Sequence, residues 1–200
     1  MPLARGRVLT WRRCVVSAMS ASRAVTALAF LQFVLQEGST AQRLSLATLV
    51  LIELSDFFDG KLARRWRVTS DYGYMLDAFG DRAAYVAYAL AAMTRAQMSP
   101  LLAYGIIVRD FGLFASRAYF THWSTFVERD RVWTKLNGIL ARVLLWCFLA
   151  TWYDTALGWE IIGGLRVAVV RSLHVITCVY LTFSYYALVV LIHRYWERGR

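Results

Sequence analysis

Proline is almost absent from this chain, with two residues in 200, so little interrupts its long apolar stretches. Cysteine is scarce too. Cys14, Cys147 and Cys178 are an odd number, widely spaced and without a C-x-x-C pair. That pattern supports neither a disulfide framework nor a zinc site, and the three read as small apolar residues. Acidic residues are few, 13 against 23 lysines and arginines. There is no internal repeat and no low-complexity tract. The N-terminal arginines are followed by polar Ser17, Ser20 and Ser22 rather than by a short apolar core with a clean cleavage site, so no removed signal peptide is expected.

What the chain has in excess is apolar residue, 58% of the total, more than a wetted soluble domain of this size usually carries. It comes in long stretches parted by short basic or turn-like segments. Such an organisation predicts a polytopic membrane protein, whose spans need roughly 17–25 mostly apolar residues each. The expected fold is all-α, six transmembrane helices in one bundle, at about 22–36, 42–64, 71–95, 98–122, 134–157 and 168–195. Residues 8–20 mix arginines with Val8, Leu9, Trp11, Val15 and Val16, which suits an amphipathic helix in the membrane interface. The expected division is thus an N-terminal interfacial segment, 1–21, and a transmembrane domain, 22–200. Trp152, Tyr153, Trp159, Tyr195 and Trp196 fall near span ends, as interfacial aromatics do.

A net charge of +10 raises the question of nucleic acid, but the placement of the charges argues otherwise. Arg5, Arg7, Arg12 and Arg13 precede the first span. Lys61, Arg64, Arg65 and Arg67 follow the second, Arg129, Arg131 and Lys135 lie between the fourth and fifth, and Arg194, Arg198 and Arg200 close the chain. The alternate connections carry fewer cations. This is the positive-inside pattern with both termini cytoplasmic, and basic segments there attract anionic headgroups. The partner surface is a lipid bilayer, not DNA or RNA.

The chemistry is concentrated between Asp56 and Asp81. Asp56, Asp59, Asp77 and Asp81 fall in or beside the second and third spans. A carboxylate in hydrocarbon costs about 2.5–3.5 kcal/mol on insertion scales, so four in one hairpin must be paired, wetted or bound to metal. On helices, Asp56 and Asp59 lie about 60° apart and Asp77 and Asp81 about 40° apart, so the two pairs can face each other. Oxygen-rich clusters suit hard divalent cations. Gly60, Ala63 and Gly73 remove side-chain bulk nearby, while Lys61, Arg64, Arg65 and Arg82 supply cations. Carboxylates, metal and cations together point to a phosphate or diphosphate ligand.

The stretch Asp56-x-x-Asp59-Gly60-x-x-Ala63-Arg64, then after a spacer Gly73-x-x-x-Asp77-x-x-x-Asp81, resembles the signature of the CDP-alcohol phosphotransferases at every fixed position. The resemblance implies a two-metal site, with Mg²⁺ or Mn²⁺ on Asp56, Asp59, Asp77 and Asp81. Asp81 would also be the general base, and Asp56, Gly60, Ala63, Arg64 and Gly73 would form the CDP pocket. It implies transfer of a phosphatidyl group from CDP-diacylglycerol to an alcohol with release of CMP, and a homodimer in the membrane, the plasma (inner) membrane in a bacterium. Ser17-x-x-Ser20-x-x-Arg23 stands where the family often has Asn-x-x-Thr-x-x-Arg, and only Arg23 is retained. Arg109-Asp110, Arg117 and the stretch from Lys135 to Gly138 are similar to the phosphatidylglycerophosphate synthase branch, making Arg109, Arg117 and Lys135 candidate acceptor-binding residues and glycerol 3-phosphate the leading acceptor. Asp81-Arg82 departs from that branch, which usually has Asp-Lys, and keeps inositol or inositol phosphate open. Phosphatidylglycerol, as in a cardiolipin synthase, and CDP-choline or CDP-ethanolamine donors are further alternatives.

Bland readings compete at several positions. Arginines near span ends commonly snorkel to headgroups. His122, His174 and His193 are more often hydrogen-bonded fillers than ligands. Outside enzymes, a cation-binding transporter also needs intramembrane carboxylates, but not the glycine–alanine–arginine context that a CDP pocket requires.

Overall fold

The computed structural model describes residues 3–66, 71–119 and 124–198. Among these the regular elements are helices: α1 (Leu3–Leu35), α2 (Ser39–Trp66), α3 (Asp71–Arg95), α4 (Pro100–Tyr119), α5 (Ser124–Ala156) and α6 (Arg166–Arg198), with a short 3-10 turn at Gly163–Leu165 before α6. The all-α expectation holds. The segments anticipated as an interfacial helix and a first span form one unbroken helix, α1. Neither glycine nor proline occurs between Arg7 and Leu35 to stop it. Its polar residues are absorbed locally, with Ser22 Oγ donating to Met19 O at 2.8 Å and Thr26 Oγ1 to Ser22 O at 2.8 Å. Helix α5 starts about ten residues before the apolar stretch that predicted it, since a helix can continue through a charged segment of good helix formers.

Among the described residues, three stretches are long and apolar enough to cross a membrane: Ala18–Leu35, Leu136–Ala156 and Gly163–Val190. The middle helices α2, α3 and α4 carry the carboxylates and arginines of interest. Large apolar side chains are exposed all along the chain, among them Val25, Leu28, Leu101, Val108, Val175 and Val179. A surface of this kind is at home against lipid tails rather than water.

The chain forms two compact units, Met1–Ala87 and Tyr88–Arg200, with α3 contributing to both. In the first, α1 packs along α2 and returns through a turn where Gly38 adopts φ +118°, a conformation that side chains disfavour. Here Gln42 N–H closes on Gly38 O at 3.1 Å. Ala27, Phe30, Val34 and Ile52 are buried. The N-terminal half of α3 approaches α1 so closely at Gly80 that an added Cβ would lie 2.7 Å from Ser20 O and 3.4 Å from Arg23 Cβ.

In the second unit α6 packs against α4 and α5, and Ile106, Ala141, Leu145, Phe148, Leu149 and Leu173 are buried. The α5–α6 connection is organised by Asp154, 4% exposed, whose carboxylate accepts the N–H groups of Ile161 at 2.8 Å and Ile162 at 3.2 Å. The carboxylate thus serves as acceptor in a turn that offers those donors no regular backbone partner. His174 is a satisfied filler, as expected of it. Its Nδ1 donates to Val170 O at 2.7 Å, and Nε2 accepts Ser99 N–H at 3.1 Å, just ahead of Pro100 and the start of α4. Its ring stands edge-on to Phe148. His193 is exposed, and His122 lies outside the described residues.

Candidate functional site

The site grows from helix periodicity. Asp56 and Asp59 are one turn apart on α2, Asp77 and Asp81 one turn apart on α3, and both pairs turn to the same point in the first unit. Carboxylate oxygens of Asp56, Asp59 and Asp77 lie within 4.8 Å of one another. The point they share is filled by the guanidinium of Arg23, delivered from α1. One terminal nitrogen, Nη2, pairs with the α2 carboxylates, Asp56 at 3.2 Å and Asp59 closer. The other, Nη1, pairs with the α3 carboxylates, Asp77 at 3.0 Å and Asp81. Arg23 thus staples three helices through one planar fork, a geometry that lysine cannot reproduce. Ser20, one turn before it, adds a long contact to Asp59 at 3.5 Å.

Burial gives the cluster a floor and a mouth. Arg23 and Asp59 are 1% and 4% exposed, whereas the Asp56, Asp77 and Asp81 side chains are 35%, 43% and 34% exposed. Three carboxylates therefore edge an open side, above a sealed Arg23–Asp59 pair. Three of the four carboxylates thus carry their charge to the mouth. An all-oxygen, strongly acidic donor set with this spacing fits a hard divalent cation and does not fit a soft one.

Other residues singled out from the sequence are placed as follows. Arg82 turns back onto its own helix, where Nη1 donates to Ala78 O at 2.5 Å. Lys61 lies on an exposed face of α2, its ammonium 5.5 Å from the Phe57 ring centre. Gly60, Ala63 and Arg64 fall on α2, Gly73 on α3, Arg117 on α4 and Lys135 on α5, but their side-chain environments lie outside the described part of the structure.

A second polar cluster lies within the second unit. Arg109 on α4 is 1% exposed, an expensive position for a cation. Its Nε donates to Ser184 Oγ at 2.7 Å, and its guanidinium carbon sits 5.9 Å from the Tyr180 ring centre. Both partners come from α6. Tyr180 OH in turn donates to Asn137 O on α5 at 2.8 Å, and Tyr185 OH to Gly105 O on α4 at 2.8 Å. Asn137 belongs to the stretch that contains Lys135, and it joins the network through its backbone carbonyl. The Nη2 of Arg109 has no hydrogen-bond partner among the described residues. A buried guanidinium nitrogen without a partner leaves a donor that an anionic oxygen would satisfy.

Sequence reasoning placed the four aspartates together but noted Arg23 only as a retained position of the family pattern. Gly80, Ser184 and Tyr180 were missed. Arg23 could have been found from its cost alone, since an arginine between Ser20 and Phe30, on an apolar helix, calls for anionic partners.

Known proteins match parts of the chain. The rice chloroplast protein CDP-diacylglycerol--glycerol-3-phosphate 3-phosphatidyltransferase 1 (Oryza sativa subsp. japonica) is 31% identical over 94 residues, 42% of this chain and 29% of that protein. Its namesake from Cereibacter sphaeroides is 38% identical over 58 residues, 29% of this chain and 26% of that one. A cardiolipin synthase (CMP-forming) of Streptomyces coelicolor is 42% identical over 57 residues, 28% of this chain and 26% of its own. The matched stretches thus span between a quarter and a third of the length of these relatives. No solved structure matches. The family pattern described as CDP-alcohol phosphatidyltransferase extends much further, over residues 14–179, which takes in Arg23, all four aspartates and Arg109. The chain belongs to the CDP-alcohol phosphatidyltransferase family.

Proposed function

We propose that this protein is a membrane phosphatidyltransferase that moves the phosphatidyl group of CDP-diacylglycerol onto an alcohol hydroxyl, with glycerol 3-phosphate as acceptor. The products are CMP and phosphatidylglycerophosphate. The observation that carries the reading is the convergence of Asp56, Asp59, Asp77 and Asp81 around one cationic centre with an open acidic mouth. Two divalent cations, Mg²⁺ or Mn²⁺, held by these four residues would neutralise the diphosphate and the departing CMP. Asp81, at the mouth, accepts the proton of the acceptor hydroxyl. That oxygen forms its bond to the phosphatidyl phosphorus as the bond to the CMP oxygen breaks. Gly60, Ala63, Arg64 and Gly73, close in sequence to the aspartates, shape the CDP pocket.

The similarity of Arg109-Asp110, Arg117 and the Lys135 stretch to phosphatidylglycerophosphate synthases supports the choice of a phosphorylated acceptor. Arg117 and Lys135 add cations for its phosphate group. In this reading all six helices cross the bilayer, both termini are cytoplasmic, the membrane is the plasma membrane in a bacterium, and two copies pair. The Streptomyces relative's name supports a second acceptor, phosphatidylglycerol, whose transfer product is cardiolipin.

The test is CMP release by purified protein in detergent with CDP-diacylglycerol and Mg²⁺ or Mn²⁺, offering glycerol 3-phosphate, phosphatidylglycerol, inositol and inositol phosphate separately. Release with glycerol 3-phosphate, abolished by Asp81→Asn, is the expected result. Release with another acceptor alone reassigns the substrate. Silence with every acceptor in folded, metal-loaded protein refutes the proposal.

A further inference from the structure

We infer that Arg23 is a built-in competitor of the metal, an internal cation that holds the four aspartates together in metal-free protein and opposes metal loading. The inference rests on the reading of this cluster as the metal site and adds a residue that controls its occupancy. The geometry is specific. Nη2 sits on the α2 pair, Asp56 and Asp59, and Nη1 sits on the α3 pair, Asp77 and Asp81, so the fork divides among the carboxylates as two small cations would. Arg23 is 1% exposed and cannot discharge its role to water.

Two physical consequences follow. With no metal, four carboxylates on facing helices repel one another, and Arg23 offsets part of that repulsion. With metal, oxygens that a hard ion would draw to about 2.0–2.6 Å are the oxygens now hydrogen-bonded to the guanidinium, and the two cations repel each other at close range. Loading is therefore an exchange, in which part of the metal's binding free energy is spent against Arg23. Gly80 keeps the arrangement tight, because any side chain there would push on Ser20 O and on Arg23 itself. A purely structural arginine would act differently: removing it would loosen the ligands and weaken metal binding. The two roles predict opposite signs.

The experiment uses the full chain in detergent, stripped with EDTA, as wild type, Arg23→Met and Arg23→Lys. Mn²⁺ binding is followed by the electron paramagnetic resonance of the free ion, with thermal melts in EDTA and in saturating Mn²⁺. Arg23→Met is expected to bind Mn²⁺ about tenfold or more tightly than wild type, a modest share of the cation–cation repulsion removed. It should melt below wild type in EDTA, with the gap narrowing in Mn²⁺. Arg23→Lys keeps the charge but loses the fork, and should bind Mn²⁺ with intermediate affinity. If Arg23→Met does not fold even with Mn²⁺, Arg23→Lys decides: tighter binding than wild type supports the inference, equal or weaker binding overturns it. Mn²⁺ binding by wild type with no gain in Arg23→Met overturns this inference alone. Mn²⁺ binding by none of the proteins overturns the metal-site reading and this inference with it.

Discussion

Gly80→Ala tests the approach of α1 to α3 on which the whole cluster depends. Alanine is the better helix former by about 1 kcal/mol, so an unobstructed glycine in the middle of α3 would gain stability from the change. Gly80 is obstructed. The new Cβ would stand 2.7 Å from Ser20 O, a backbone atom that cannot rotate away, and 3.4 Å from Arg23 Cβ. Relief requires α1 to retreat by roughly half an ångström, and overpacking of this kind costs about 1–3 kcal/mol. The clash cancels or outweighs the propensity gain, leaving a net loss of up to about 2 kcal/mol, or a melting temperature lower by up to about 8 °C. The retreat also carries Arg23 away from Asp77 and Asp81, and CMP release should fall by about tenfold, since small misplacements in a catalytic array are costly. Gly138→Ala is the control. Gly138 is a helical glycine in α5 with nothing within 4 Å of its would-be Cβ, so it should be neutral or stabilising by up to about 1 kcal/mol. The assay is a thermal melt of both variants in the same detergent, with CMP release alongside. Gly80→Ala melting above wild type, level with Gly138→Ala, would refute the close contact and the stapling of α3 by Arg23.

Asp59→Asn removes the most buried partner of Arg23, and should lower stability by about 2 kcal/mol while cutting CMP release by at least about 100-fold. A variant that keeps wild-type turnover would remove Asp59 from the site. EDTA should abolish CMP release and Mn²⁺ should restore it, read in one assay by sequential addition; turnover that survives EDTA contradicts a metal-dependent reaction. Arg109→Gln should raise KM for glycerol 3-phosphate about 10–100-fold with a smaller effect on KM for CDP-diacylglycerol, the loss of a charge-assisted contact to phosphate. An equal rise for both substrates would contradict an acceptor role. Asp154→Ala should lower the melting temperature through the loss of about 1–3 kcal/mol, because two backbone N–H groups lose a charged acceptor, while specific activity stays within about twofold. A large fall in activity without loss of stability would assign Asp154 a part in the chemistry.

The contrast between Asp56–Asp81 and Arg23 separates what the sequence alone determined from what folding decided. The aspartates are spaced at one helical turn on neighbouring apolar stretches, and that spacing determines which face they share whatever the rest of the chain does. Helix content and the apolar spans were legible for the same reason, since hydrophobic runs and helix breakers act within a few residues. The third helix, expected at about 71–95, is found as Asp71–Arg95. Boundaries were less legible where no breaker marks them, as in the unbroken α1 and the early start of α5. Beyond the facing aspartate pairs, partnerships across helices were not legible. Nothing near Arg23 in sequence says that it will meet four carboxylates on α2 and α3, nor that Gly80 is the residue that lets it. Nor does anything near Arg109 announce Ser184 and Tyr180 on α6. Those contacts are set by how the helices pack, and packing is a property of three-dimensional complementarity that no local periodicity encodes.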